Sequence, residues 1–216
     1  MGSKQFEIPK VQELIEKFPA ENVIYRMDAM HCQKKTVNKI LKKKSFYVLQ
    51  VKENQKTLSE KVKFITGYLP VISRNITREK NRGRIERREV TVYKESLDLK
   101  HYWDDLKFII KVRRTVKFKT GKKTKEIAYF ITNLNEKASF FNKGIRDHWR
   151  IENSLHYVKD MVFDEDSSRI RTGSAPQNMS LLKTFVMNVL RLKGYSYIKQ
   201  ATRLLSGNVR LMLSLL

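Results

Sequence analysis

The chain reads as an α/β protein, and three stretches carry that reading. Val23–Met27 and Phe46–Val51 are short, mostly apolar, β-prone runs; Lys34–Lys44 between them sets Val37, Ile40 and Leu41 at helical spacing. That strand–helix–strand order predicts two parallel strands joined by a right-handed crossover. Glu89–Tyr93 and Leu106–Lys119 alternate polar and apolar residues, as in strands with one buried face. Beyond 134 the pattern changes to amphipathic helices.

Taken in order, Lys10–Phe18 forms a short helix with Val11, Leu14, Ile15 and Phe18 on one side, ended by Pro19. Val23–Met27 closes on Asp28. A carboxylate at the C-terminal end of a buried strand has a fixed backbone and a loop that leaves room for a ligand. The same Asp also suits the cap of the next helix. His31 and Cys32 read as packing residues, since zinc sites repeat such ligands and the chain has no second Cys. Lys52, Asn54 and Gln55 follow the second strand and share a sheet end with Asp28 if the strands are parallel. Thr57–Tyr68 is a further helix, ending near Gly67 and Pro70.

Ser73–Arg88 is the most basic tract. It reads either as a solvated loop or as a DNA-backbone contact through Arg74, Arg78, Lys80, Arg82, Arg84, Arg87 and Arg88. Leu106–Lys119 alternates clearly. Leu106, Phe108, Ile110, Val112, Val116 and Phe118 face one way; Lys107, Lys111, Arg113, Lys117 and Lys119 face the other. Thr120–Lys123 is a turn, and Ile127–Thr132 completes a hairpin. Trp103 suits the core better than a base-stacking role.

Glu136–Phe163 reads as one long helix. At about 100° per residue, Ile151, Leu155, Val158 and Val162 share a narrow buried stripe. His148, Glu152, His156 and Lys159 line up beside it. That row fits a metal or phosphate site, and equally a solvated face of mixed charge. Asp164, Glu165 and Asp166 either seed a metal site or pair with Arg169 and Arg171. Gln177–Leu192 is amphipathic with Leu181, Leu182, Phe185, Val189 and Leu192 inward; Tyr195–Leu216 is mostly helical, with an apolar end suited to a homodimer contact.

The 216 residues carry Lys+Arg 45 against Asp+Glu 22, a net charge of +23. That excess points to a polyanion, most simply nucleic acid. Hydrophobic content of 41% is enough to fill a core. The single Cys32 excludes an internal disulfide. No apolar run approaches the ~20 residues of a membrane helix, so no membrane partner and a cytoplasmic protein are expected.

HWRIENSLHYVKDMVFDED, followed by RIRTGSAPQNMSLLKTFVMNVLR, resembles the C-terminal signature of bacterial insertion-sequence transposases. VIYRMDAMHCQKKTVNKIL and FYVLQVKENQKTL resemble a second block of the same family, in the same order. The nearest branch is the ISAs group, with the H-repeat-associated proteins, and the resemblance runs from about Phe6 to about Lys193. It implies a DDE transposase: a partial RNase H-like core over 1–71, a β-rich basic insertion over 72–133, and a closing catalytic helix with C-terminal helices over 134–216. The implied activity is metal-dependent DNA strand cleavage and transfer at element ends, with double-stranded terminal repeats as partner.

The resemblance further implies that Asp28 and Glu152 are two of three carboxylates holding two Mg²⁺ (or Mn²⁺) ions. His148, Lys159 and Arg146 would meet the phosphate, with Lys52 and Gln55 beside the site and Arg82, Arg84 and Arg87 on the DNA. Two departures qualify it. His148 stands where related branches carry Arg, and no Asp precedes Asp28. The expectation is therefore a transposase lacking its opening strands and inactive alone; the alternative is a non-catalytic DNA-binding fragment that competes with an intact transposase.

Overall fold

The computed structural model describes residues 4–81, 83–95, 99, 102–103, 105–151, 157–165 and 167–214, with the side chains of 4–6, 81 and 148–151 left aside. The fold is mixed α/β, as the sequence predicts. Two compact units emerge, residues 1–145 and 146–216.

The first unit opens with α1 (Lys4–Lys17), which begins before the expected Lys10 and carries Pro9 inside it. Then come β1 (Ile24–Met27), a 3-10 turn (Ala29–His31), α2 (Lys34–Lys42) and β2 (Phe46–Val51). β1 and β2 pair in parallel, Ile24 opposite Phe46 and Met27 opposite Leu49. A second 3-10 turn (Glu53–Gln55) leads into α3 (Lys56–Ile65).

Four long antiparallel strands follow: β3 (Val71–Asn81), β4 (Arg84–Lys94), β5 (Phe108–Phe118) and β6 (Lys123–Thr132). They join β1 and β2 in one six-stranded sheet of order β1-β2-β6-β5-β4-β3. The basic tract Ser73–Arg88 is therefore a β-hairpin and not a loop. Ile76 and Ile85 on one face and Val90 and Val92 on the other favour strand, and Gly83 at φ 77° takes the left-handed position that closes the hairpin.

The sheet is covered on both faces at its β1–β2 end. One face packs Tyr47, Leu49, Val51, Tyr93, Ile109 and Ile131 with Ile15, Val37, Ile40, Leu58, Val62 and Ile65 from α1 to α3. The other packs Val48, Val90, Val92, Ile110, Val112 and Phe130 under Ala138, Phe141 and Ile145 of α4 (Ala138–Ile151). Asn142 of α4 reaches across to Asn75 Oδ1 at 2.6 Å, and the Ala138 amide donates to Ser73 Oγ at 3.0 Å. Trp103 is 1% exposed and belongs to the core.

The second unit holds α5 (Tyr157–Phe163), α6 (Ala175–Leu192), α7 (Ile198–Ser206) and α8 (Val209–Leu213). The expected single helix Glu136–Phe163 is described only as α4 and α5. Its stripe survives at Val158 and Val162, which pack on Met187, Leu190, Ile198, Ala201 and Leu205. The inward face of α6 differs from expectation. Leu181, Leu182, Phe185 and Leu192 are exposed, while Met187 and Leu190 are buried. Apolar residues run around much of α6, so helical spacing allows more than one stripe, and α7 takes the Met187–Leu190 side.

Candidate nucleic-acid interface and metal-binding carboxylate

Asp28 continues β1 by one residue, with φ −66° and ψ 167°, and its carboxylate is exposed. It stands at the cap position of the following 3-10 turn, yet its side chain makes no capping hydrogen bond. The capping alternative thus falls away.

Because β1 and β2 are parallel, the residues after β2 gather beside Asp28, as the sequence predicts. Asn54 Nδ2 donates to the Ala29 carbonyl at 2.5 Å, and Gln55 Nε2 donates to the Cys32 carbonyl at 2.9 Å. Both amides clamp the turn that carries Asp28. Gln55, expected beside the site, therefore spends its amide on the backbone. Lys52 is exposed with no ion pair among the described residues.

β2 stops at Val51 while β6 continues past it, which leaves a groove of about 740 Å³. Asp28, Gln50, Lys52, Glu53 and Asn54 line one side; Glu126, Ile127 and Tyr129 line the other. Two of its carboxylates are paired with cations, Glu53 with Lys63 at 3.0 Å and Glu126 with Arg114 at 3.6 Å. Hard divalent ions prefer carboxylate oxygens, and Asp28 supplies one at the groove. Among the described residues no group of three His, Cys, Asp or Glu is placed to hold a metal. Glu152 lies outside the described residues, as do His156 and the side chain of His148.

Strand register divides the basic residues between two faces. On the α4 face, Glu86 accepts from Arg88 at 2.8 Å and from Arg114 at 2.9 Å. Hydrogen bonds and charge from these arginines overcome burial and hold the Glu86 carboxyl below the usual Glu range. Arg88 is 9% exposed, so its expected role on DNA becomes one inside the sheet. Arg84 lies on this face too, exposed at the hairpin end. Arg82 lies outside the described residues.

The opposite face carries Arg74, Arg78 and Lys80 on β3 and Arg87 on β4. β5 adds Lys111, Arg113 and Lys117, and β6 adds Lys123 and Lys125. Set among them is Glu89, 6% exposed. Arg74 donates to one carboxylate oxygen; Arg87 donates to the other at 2.8 Å, with Arg113 at 4.0 Å. Burial would raise the Glu89 carboxyl, but the hydrogen bonds from Arg74 and Arg87 outweigh it and lower it. Sequence reading did not single out Glu89; the signal was an acid set directly between Arg87–Arg88 and the apolar run from Val90.

In the second unit, Lys159 donates to Ser180 Oγ at 2.7 Å and lies 3.7 Å from Glu165 Oε2. Arg146 is exposed on α4.

Residues 4–189 match the family model described as "Transposase DDE domain". Two Escherichia coli proteins illustrate the likeness. "Putative transposase YncI" of strain O157:H7 is 34% identical over 201 residues, 88% of this chain and 51% of that protein. "H repeat-associated putative transposase YhhI" of strain K12 is 30% identical over 197 residues, 87% of this chain and 52% of that protein. The chain thus spans about half the length of the curated relatives it matches. A family model that matches most of the chain, a mixed sheet with helices, and a carboxylate at the end of its parallel pair lead to one conclusion: the chain belongs to the DDE-domain transposase family.

Proposed function

We propose that the chain is part of a bacterial insertion-sequence transposase that cleaves and transfers DNA strands at element ends. The observation that carries this reading is Asp28 at the C-terminal end of β1, exposed beside the groove that β2 leaves when it stops. Asp28 and Glu152 would hold the divalent cations, Mg²⁺ or Mn²⁺, through carboxylate oxygens. Bound there, the ions supply charge neutralisation at the scissile phosphate and activation of a water or 3′-hydroxyl. Lys52, exposed in the groove and without an ion pair among the described residues, is suited to a phosphate oxygen. Arg146 and His148 are the proposed phosphate contacts from the helical segment, and Arg82, Arg84 and Arg87 those from the hairpin, whereas Lys159 is engaged by Ser180 and Glu165. Gln55 acts by holding the turn after Asp28. The partner is double-stranded DNA of the terminal repeats, the protein a cytoplasmic one, and a homodimer the proposed assembly.

We further propose that residues 1–216 by themselves do not complete a three-carboxylate site. No Asp precedes Asp28, and the outer side of β1 pairs with no strand among the described residues. A non-catalytic, competing DNA binder is the second reading that these two observations favour.

The experiment is an incubation of purified 1–216 with end-labelled terminal-repeat DNA and Mg²⁺. The expected result is salt-dependent binding without cleavage. Cleavage that Asp28→Asn and Glu152→Gln abolish would refute the incompleteness and leave the transposase reading standing. No binding to DNA would remove both.

A further inference from the structure

The geometry points to a continuous phosphate track on the sheet face opposite α4, running from the Asp28 groove over Lys111 to the pocket beside Glu89. It rests on the reading that the chain handles DNA, and it names the surface and the duplex backbone as its occupant.

Three observations join the track. Tyr129 lines the Asp28 groove, and Lys111, opposite it in the register, sets its ammonium 5.8 Å from the Tyr129 ring centre. Lys111 in turn lines a pocket of about 300 Å³ with Arg74, Glu89, Thr91, Tyr93 and Arg113. The two depressions therefore share the Lys111–Tyr129 contact. The groove end mixes Asp28, Glu53 and Glu126 with Lys52 and Lys63, and the excess of positive charge builds toward the pocket end. Glu89 is the carboxylate of the pocket, and Arg74, Arg87 and Arg113 surround it, so cations remain in excess.

The other face has the opposite character. There Glu86 and Glu126 hold Arg88 and Arg114, and Asn75 and Thr77 meet Asn142. Arginine-rich sequence alone would assign DNA to both faces, whereas among the described residues the hairpin strands set Glu79, Glu86 and Glu126 against Arg84, Arg88 and Arg114 on the α4 face and leave the larger excess of positive charge on the opposite one. From β6 to β3 are three strand spacings of about 4.8 Å, a span of roughly four base-pair rises at ~3.4 Å each. A duplex lying across the strands can thus place a backbone in the Asp28 groove and meet further phosphates at Lys111 and Arg113. Glu89 keeps its guanidiniums in fixed positions, which lowers the ordering cost of each contact.

The test measures binding of 1–216 to a fluorescein-labelled duplex over a NaCl series. Each phosphate contact contributes about 0.9 to the slope of log K against log salt. Lys111→Ala with Arg113→Ala should flatten that slope by about two contacts. Lys10→Ala with Lys17→Ala removes the same charge from α1 and should leave the slope as in wild type. Because Arg113 borders Glu89, Lys111→Gln serves as a second variant that leaves the Glu89 pairs intact; it should flatten the slope by about one contact. If wild type binds with a steep slope and neither Lys111 variant differs from the α1 control, the track is wrong while the DNA reading survives. If wild type shows no salt-dependent binding, the DNA reading fails first and the track with it.

Discussion

The side chain of Gln55 donates to the main-chain oxygen of Cys32 at 2.9 Å, tying the turn after β2 to the turn after β1. Asn54 makes a parallel bond to Ala29 at 2.5 Å. Two amides thus brace both ends of a 3-10 turn that begins one residue after Asp28. Removing the Gln55 amide takes that donor from the Cys32 carbonyl, whereas the Ala29 carbonyl still accepts the Cys32 N–H at 3.0 Å. Gln55→Ala should therefore destabilise the first unit by about 1–2 kcal/mol and Asn54→Ala by about 0.5–1 kcal/mol, read from the urea midpoint. The effects should be less than additive, because both bonds restrain one turn. Unchanged midpoints in both variants would show that the turn stands without them.

Glu89 sets the acid limit of the sheet. Its carboxyl lies below the usual Glu range because the bonds from Arg74 and Arg87 outweigh burial. A depressed folded-state value contributes stability that is intact above the ~4.3 of an unfolded Glu and is lost as pH falls through the lower folded value. Glu86 shifts in the same direction and adds to it. The amides of β3, β4 and β5 should therefore exchange faster on acidification below about pH 4. Glu89→Gln should remove much of that acid response at the β3–β4 pairs. The response persisting in full in Glu89→Gln would assign it elsewhere.

The parallel pair was legible because period and punctuation agree there: β-prone runs flank Val37, Ile40 and Leu41, and the strands end where expected within a residue. The same pattern set Asp28 at a strand end, while its metal-binding role came from the resemblance and not from local sequence. The hairpin of the basic tract was harder to read, because Arg and Lys at nearly every other position resemble a solvated run. Its strand character comes from partners distant in sequence, such as Arg87 opposite Thr115. Glu89 was invisible for the same reason. Its three arginines come from β3, β4 and β5, and only the register brings them together. α6 misled by being apolar on too many sides, so that the buried stripe was decided by α7.

Cys32 offers a prediction at the other end of the pH scale. It is fully buried, and burial pushes its thiol up to about 12. The raised folded value preserves stability below the ~8.5 of an unfolded thiol, and stability declines as pH rises from there toward 12. Native protein should therefore react slowly with a thiol reagent from pH 7 to 9, with no rise that follows ordinary thiolate formation. Urea should expose the thiol fully. A rate in native buffer that climbs with a midpoint near 8.5 would contradict the burial.

Lys159 joins the two readings of its helix. Its ammonium donates to Ser180 Oγ at 2.7 Å and faces Glu165 at 3.7 Å, which links α5 to α6 and to the segment after α5. The side chain of Lys159 is 13% exposed and that of Glu165 is 27% exposed, so solvent screens the pair only in part. Glu165 Oε2 is buried and accepts no hydrogen bond among the described residues, so Lys159 is the cation that offsets it. Lys159→Met should keep the packing of the stem and lose about 1–2 kcal/mol from the second unit. The loss should appear as a lower urea midpoint for tryptic protection of 157–214. A role on DNA predicts a different signature: an unchanged midpoint and a salt slope flatter by about one contact. The geometry favours the first outcome, because two neighbours already draw on the ammonium.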